Sequence, residues 1–347
     1  MSDTQIIRDL FYKVTRSKTI NEAILFVENT SGDFSFDIGY GDRNIDSPMF
    51  TASIGKLYTT TCILILEKQN RLSLNDPINK YLDKSILDGL HIFKGVDYSK
   101  QLTISNLLFQ TSGIPDWLEN GRDKRIFIDN DLFLSFEEKI ASIKKDKPFF
   151  APGTKTRYSD TNFSMLGKII EEITKKPMAQ VCDEWIFKPL NFTKTYLPTS
   201  KEDFVTHIFY NDKSLYRPNA MIAASGSGDS MTTARELMVF IKAFFDGTLF
   251  PKNTFERLSK YGRLGVLTMG GAWYGGGYMQ IPLGVPRTLF MGKGELLGHT
   301  GATGSFAFYY PRKDLYFVGD FNQAARPGLP MMTVINLAVK LRNEKYL

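Results

Sequence analysis

The sequence predicts an α+β fold: one antiparallel sheet built from both chain termini, flanked by helices, with a mainly helical inserted lobe. Three observations carry that expectation. Residues 23–28 and 34–40 read as a strand hairpin around Asn29-Thr30-Ser31-Gly32. Residues 305–310 and 315–321 read as a second hairpin around Pro311-Arg312-Lys313-Asp314. Between the hairpins, helical and loop patterns dominate from Ser53 to about Asp203. The expected division is 1–70 plus 230–347 for the sheet lobe and 71–229 for the helical lobe. A cleft between two such lobes is a usual place for a small-molecule site.

Each element has its own signal. Residues 3–17 repeat apolar positions at Ile6, Ile7, Leu10, Phe11 and Val14, the period of an amphipathic helix. In the first hairpin Phe34, Phe36, Ile38 and Tyr40 alternate with other residues. A helix opening at Ser53 is apolar on nearly every face from Leu57 to Leu66, which suits a helix buried in a large core. Asp76 and Pro77 then read as the cap and first position of another helix. Residues 162–174 form a long amphipathic run, and 273–281 an aromatic, Gly-rich strand. Residues 331–346 close the chain as a helix.

Composition narrows the function classes. With 347 residues and 43% hydrophobic content, the chain can bury a sizeable core. Its charge of +6 comes from interspersed Lys, Arg, Asp and Glu, with no basic stripe and no known nucleic-acid motif, so nucleic acid is excluded as the expected partner. The apolar run at 62–66 is too short to span a bilayer, and the first residues lack a leader's apolar segment. A cytoplasmic protein is expected on this sequence, or an extracytoplasmic one if a leader has been trimmed. Cys62 and Cys182 fall in apolar helical patterns and read as free buried thiols. The three histidines are scattered without metal-ligand spacing.

Chemistry concentrates in three stretches. In F-T-A-S-I-G-K-L, Ser53 and Lys56 are three apart at a helix start, so hydroxyl and amine share a face near unsatisfied backbone N–H groups. A serine needs such help to act as a nucleophile. The spacing alone decides nothing, because Ser142 and Lys145 repeat it; that copy lies in E-E-K-I-A-S-I-K-K-D-K, which reads as a solvated amphipathic helix. In P-G-T-K-T-R-Y-S-D-T-N, Tyr158 and Asp160 sit on a loop at a helix start, where a packed Tyr and a capping Asp are the plainer explanation. In G-H-T-G-A-T-G-S-F, His299, Thr300 and Gly301 precede a strong strand, and a glycine bulge is the plainer explanation there.

Taken in order, Ser-x-x-Lys, Tyr-x-Asp and His-Thr-Gly resemble the motif set of the serine β-lactamase and penicillin-binding-protein superfamily. The likeness is to the class C β-lactamase-like branch, which includes D-amino peptidases, DD-carboxypeptidases and esterases. Further blocks extend it over nearly the whole chain: Thr111-Ser112-Gly113, the run from Pro152-Gly153 to Ile169-Ile170-Glu171, K-P-L-N-F-T-K-T-Y, A-A-S-G-S-G-D-S-M-T-T-A-R-E-L and W-Y-G-G-G-Y. The resemblance implies a serine hydrolase with Ser53 as the acylated nucleophile, Lys56 beside it, and Tyr158 moving the serine proton to the leaving group. It also implies an oxyanion hole from the backbone N–H groups of Ser53 and Ala302, substrate contacts from Asp160, His299, Thr300 and Gly301, and no metal or organic cofactor.

Two departures bear on substrate. The family often has Asn where Asp160 stands, and an ionised carboxylate cannot donate to a substrate carbonyl. The third motif begins with His299 instead of Lys, and a neutral imidazole holds a substrate carboxylate less firmly than an ammonium. The expected substrates are small esters, D-amino-acid peptides or amides, with weak turnover of β-lactams. A catalytically idle binding or scaffold protein of the same fold is the rival reading; retention of Ser53, Lys56 and Tyr158 favours the enzyme.

Overall fold

The structure is a computed structural model and describes residues 2–265, 271–285 and 290–341. The chain opens with α1 (Asp3–Thr15), whose apolar stripe buries Ile7 and Phe11 and whose first turn is capped by the Ser2 hydroxyl accepting from Gln5 N. Strands β1 (Ala23–Asn29) and β2 (Ser35–Tyr40) follow as the expected hairpin. A 3-10 turn at Ala52–Gly55 then runs into α2 (Lys56–Lys68). The helical segments include α3 (Phe136–Ile143), α4 (Asp160–Thr174) and α5 (Ala234–Asp246). The sheet is completed by β3 (Gly262–Arg263), β4 (Trp273–Tyr274), β5 (Met279–Pro282), β6 (Glu295–Thr300), β7 (Ser305–Tyr310) and β8 (Leu315–Asp320), and α6 (Leu329–Lys340) follows.

Among the described residues these strands form one antiparallel eight-stranded sheet in the order β2-β1-β8-β7-β6-β5-β4-β3. The N-terminal hairpin joins the C-terminal strands one strand in from the β2 edge, where β1 pairs with β8, Ile24 opposite Asp320 and Asn29 opposite Leu315. The sheet is therefore assembled from both termini, as the two sequence hairpins predict.

Register shows why helices cover both faces. Residues directly opposite in an antiparallel pair share a face, so Ser35, Glu28, Tyr316 and Tyr309 line one side. There α5 packs, with Lys242 Nζ on Glu28 and Phe245 against Tyr309 at 5.6 Å. Phe36, one residue along, faces the other side and carries Arg8 of α1 at 4.9 Å from its ring. The helices α1 and α6 pack together over that second face.

Helix α2 is buried along almost its full length, every residue from Lys56 to Leu64 included, and Tyr58 within it packs on Phe187 and Phe240. Such all-round burial matches its apolar sequence.

Three local expectations change. Asp76 caps no α-helix: Pro77 precedes only a 3-10 turn, Ile78–Lys80, and the Asp76 carboxylate accepts from Ser73 N and Tyr81 Oη instead. The 273–281 strand is two, because Gly275 to Tyr278 reverses the chain, and a Cβ on Gly277 would meet Thr60 Oγ1 of α2 at 2.1 Å. The last helix begins two residues earlier than expected, and its expected extension over 342–346 lies outside the described residues. Among the described residues no helix is long and apolar enough to cross a membrane.

Candidate active site

Ser53 is held by the turn that enters α2. Ala52 takes φ 44°, a left-handed conformation that costs a non-glycine residue about 1–2 kcal/mol and persists only where the surroundings enforce it. They do so from two sides. Thr51 N donates to Ser230 O at 2.9 Å, and Ser305 Oγ donates to Thr51 O at 2.7 Å, tying the turn to the loop before α5 and to the start of β7. Gly228 lies so close that a Cβ there would sit 2.5 Å from Ala52 O and 2.9 Å from Ser53 N. Only glycine lets that loop reach the serine turn.

From the first turn of α2, Lys56 Nζ donates to Ser53 Oγ at 3.0 Å, to Ser227 O and to Asp160 Oδ1. Lys56 is fully buried, so these three acceptors are what make its position tenable. Asp160 is the first residue of α4, and a neighbouring loop sets that helix start. Asp116 Oδ2 accepts from Asp160 N at 3.0 Å, Gln110 Oε1 from Ser159 N at 3.0 Å, and Thr161 Oγ1 from Trp117 N at 3.0 Å. Ser112 of the Thr-Ser-Gly block donates to Asn162 Oδ1 at 2.6 Å. Burial first, and then the nearby Asp160 carboxylate, push the Asp116 carboxyl up to about 8.

Tyr158 arrives on the same loop, its ring 5.0 Å from Lys56 Nζ. Its buried hydroxyl has no partner of hydrogen-bond geometry among the described residues. Burial, then the charge on Asp160 and the neighbouring Tyr274, hold its proton well above the ordinary phenol range, against the opposing effect of the Ser53 hydroxyl.

Among the third group of residues, His299 is fully buried in β6, its Nδ1 donating to Thr300 O at 2.7 Å and its Nε2 3.5 Å from Tyr274 Oη. Burial, and then the charge of Lys56, lower it to about 3, so it is a neutral ring at physiological pH. Thr300 ends β6 and is buried, and Gly301 N is spent on Ser305 O at 2.7 Å. Ala302 lies beyond the strand, in the turn to β7, and is exposed.

A cavity of about 180 Å³ opens beside Ser53. Ser53, Asp160 and Ala302 line it, whereas His299, Thr300 and Gly301 do not. The remaining wall is largely apolar, with Phe50, Phe127 and Ile208, and carries a second carboxylate, Asp123. Thr303 also lines it, with a buried, unpartnered Oγ1. The structure thus gathers Ser53, Lys56, Asp160 and Tyr158 in one cluster. Residues 142 and 145 have no such setting, since Ser142 Oγ donates to Lys139 O within α3.

Sequence reasoning missed several participants. The Ser227 carbonyl and Gly228 fall in A-A-S-G-S-G-D-S, where alternating glycines signal close backbone approach. Gln110 and Asp116 flank Thr-Ser-Gly without any spacing to mark them. Asp123 and Thr303 reach the cavity only through the tertiary fold.

Comparison with known proteins identifies the family. The Beta-lactamase family pattern matches residues 33–338. A protein bearing the name of a penicillin-binding protein, PbpX of Bacillus subtilis (strain 168), is 29% identical over 245 residues, which cover 67% of this chain and 56% of that one. The chain therefore spans little more than half the length of that relative. Among solved structures, the D-amino acid amidase of Ochrobactrum anthropi SV3 superposes with a TM-score of 0.77 at 19% identity, covering 97% of this chain and 99% of that one. The octameric penicillin-binding protein homologue of Pyrococcus abyssi gives 0.78 at 21% identity, covering 99% and 79%. A match over residues 33–338, with the Ser53 cluster inside it, places the chain in the Beta-lactamase family.

Proposed function

We propose that the protein is a serine acyl-hydrolase acting on small esters or amides, with a preference for substrates that carry a free amino group. The observation that carries this reading is the Lys56 Nζ to Ser53 Oγ hydrogen bond of 3.0 Å at the wall of an apolar cavity. In the first step Ser53 Oγ bonds to the substrate carbonyl carbon, its proton passes to the phenolate form of Tyr158, and the phenol returns it to the departing amine or alcohol. Water then attacks the acyl-enzyme by the same route in reverse. The developing oxyanion would be met by the N–H groups of Ser53 and Ala302, each worth about 10²–10³ in rate in comparable sites. His299, Thr300 and Gly301 do not line this cavity.

The preference follows from charge. Asp160 and Asp123 are the carboxylates lining the cavity, so a substrate ammonium is attracted and a substrate carboxylate repelled. The D-amino acid amidase superposes over nearly the full chain, which supports an amine-bearing amide as one substrate class.

A binding-only protein is the second reading, favoured by the unpartnered Tyr158 hydroxyl. Intact mass after exposure to a fluorophosphonate and, separately, to a penicillin separates the two. The hydrolase gives a fluorophosphonate adduct on the peptide holding Ser53, and Ser53→Ala gives none. No adduct with either reagent would overturn the hydrolase in favour of binding alone.

A further inference from the structure

A second cavity, of about 160 Å³, lies between α3, α4 and the segment 222–225, and shares no lining residue with the Ser53 cavity. Two polar side chains on its wall, Lys139 and Ser164, make no side-chain hydrogen bond among the described residues. Lys139 of α3 is 3% exposed, yet among the described residues its Nζ makes no hydrogen bond and no ion pair within 4 Å. The contact recorded for that Nζ is the Trp117 ring, at 4.8 Å. Ser164 of α4 is 4% exposed, and its Oγ also has no partner. Leaving the buried Ser164 hydroxyl unpaired is costly, and Lys139 and Ser225 line the same cavity.

The charges around Lys139 do not close the gap. Asp229, Asp160, Glu137 and Glu171 attract it through space, but burial is the larger influence and lowers it to about 8. Asp229, the nearest in effect, is itself pushed by burial up to about 7. Lys168, on the cavity rim, is engaged by Glu172 at 3.1 Å, and Glu171 Oε1 accepts from Met178 N at 2.9 Å. Phe133, Leu134, Phe136 and Ile222 give the wall its apolar part, and Ser135 and the already engaged Glu171 also line it.

We infer that this cavity is a binding site for a small monocarboxylate with a short alkyl chain, its two oxygens taken by Lys139 Nζ and the Ser164 hydroxyl and its chain by the apolar wall. With Lys168 engaged by Glu172 and Glu171 accepting from Met178 N, Lys139 is the lysine of this wall without an ion pair, and a carboxylate offers two acceptor oxygens to Lys139 and Ser164. A phosphate dianion would bring a second charge with no buried cation to meet it. Binding here requires neither Ser53 nor Tyr158.

The test uses sodium butyrate, with sodium chloride at equal ionic strength as reference, read by saturation-transfer NMR and by thermal shift. Wild type and Ser53→Ala should both show saturable binding and a rise in Tm. Lys139→Met should bind about tenfold more weakly or worse, the loss expected for a charge-assisted hydrogen bond. Ser164→Ala, which alters one hydroxyl and no charge, should weaken binding by a smaller factor and stands in should Lys139→Met fail to fold. Butylamine should not bind in this cavity. The inference is overturned if butyrate shows no saturable binding up to about 50 mM, where only affinities too weak to matter remain. It is equally overturned if both variants bind as wild type does, or if a butyrate-soaked crystal shows only water bridging Lys139 and Asp229.

Discussion

Lys56 Nζ has three donor positions and three oxygen acceptors: Ser53 Oγ, Asp160 Oδ1 and the Ser227 carbonyl. A nitrogen that donates to Ser53 does not offer it a lone pair, so in this state the serine proton has to go elsewhere. Tyr158 is the remaining acceptor, yet burial and the Asp160 carboxylate keep it as a neutral phenol. The acylation rate is therefore expected to climb with pH through the alkaline range, because the active form has lost a proton that the raised phenol holds tightly. For Asp160→Asn the direction is fixed by the same reasoning. Removing the second-largest cause of the rise shifts the alkaline limb to lower pH, and an amide in place of the carboxylate can donate to a lactam carbonyl. Stopped-flow acylation by a penicillin and a p-nitrophenyl ester from pH 6 to 10, on both proteins, checks this. A limb that does not move, or a penicillin rate that falls, would leave Asp160 as a structural partner of Lys56 alone.

At the scale of elements, the serine turn, the 226–230 loop and the start of α4 have to agree in position to within fractions of an ångström. Gly228 is where this agreement is tightest, since a Cβ would overlap Ala52 and Ser53 N. Gly228→Ala should destabilise the protein by about 1–3 kcal/mol through overpacking. It should also slow acylation by about tenfold or more, because misplacing a nucleophile by an ångström costs up to about 10²-fold. Gly328→Ala, where a Cβ meets nothing within 4 Å, is the matched control and should be silent in both assays. Equal effects at the two positions would show that the loop contact is unimportant. The same contrast shows what could be read from sequence. Hairpins at 23–40 and 305–321, the buried α2 and the Ser53–Lys56 pair announce themselves through periodicity and spacing. Lys139 does not: in a run as charged as E-E-K-I-A-S-I-K-K-D-K nothing marks one lysine as buried, and only the packing of α3 beside α4 makes it so. His299 reads as a substrate contact because motifs report order along the chain, whereas its full burial is set by neighbours such as Tyr274, remote in sequence.

Over the whole molecule, buried acids give stability a pH dependence opposite in sign to ordinary acid denaturation. Burial raises Asp116 to about 8, Asp229 to about 7 and Asp320 to about 6, the last despite Arg43 at 3.3 Å. Unfolded, each would titrate near 3.8. Between those limits the native state holds protons that the unfolded chain has released, so stability falls as pH rises. The contribution is complete below about pH 4 and lost as pH passes through the folded values. His299 works the other way, since it is neutral in the fold down to about 3 and protonates in the unfolded chain below 6.5, but its influence ends by neutral pH. From about pH 6.5 to 8 the acids Asp116 and Asp229 are left without that opposition, and urea midpoints should decline across this window. Asp116→Asn removes one titrating group, so its midpoint should change less over the same interval, and the variant should gain on wild type as pH rises. A wild-type midpoint that is flat or rises from pH 6.5 to 8 would mean that these carboxylates are ionised in the native protein, with water or rearranged donors meeting their charge.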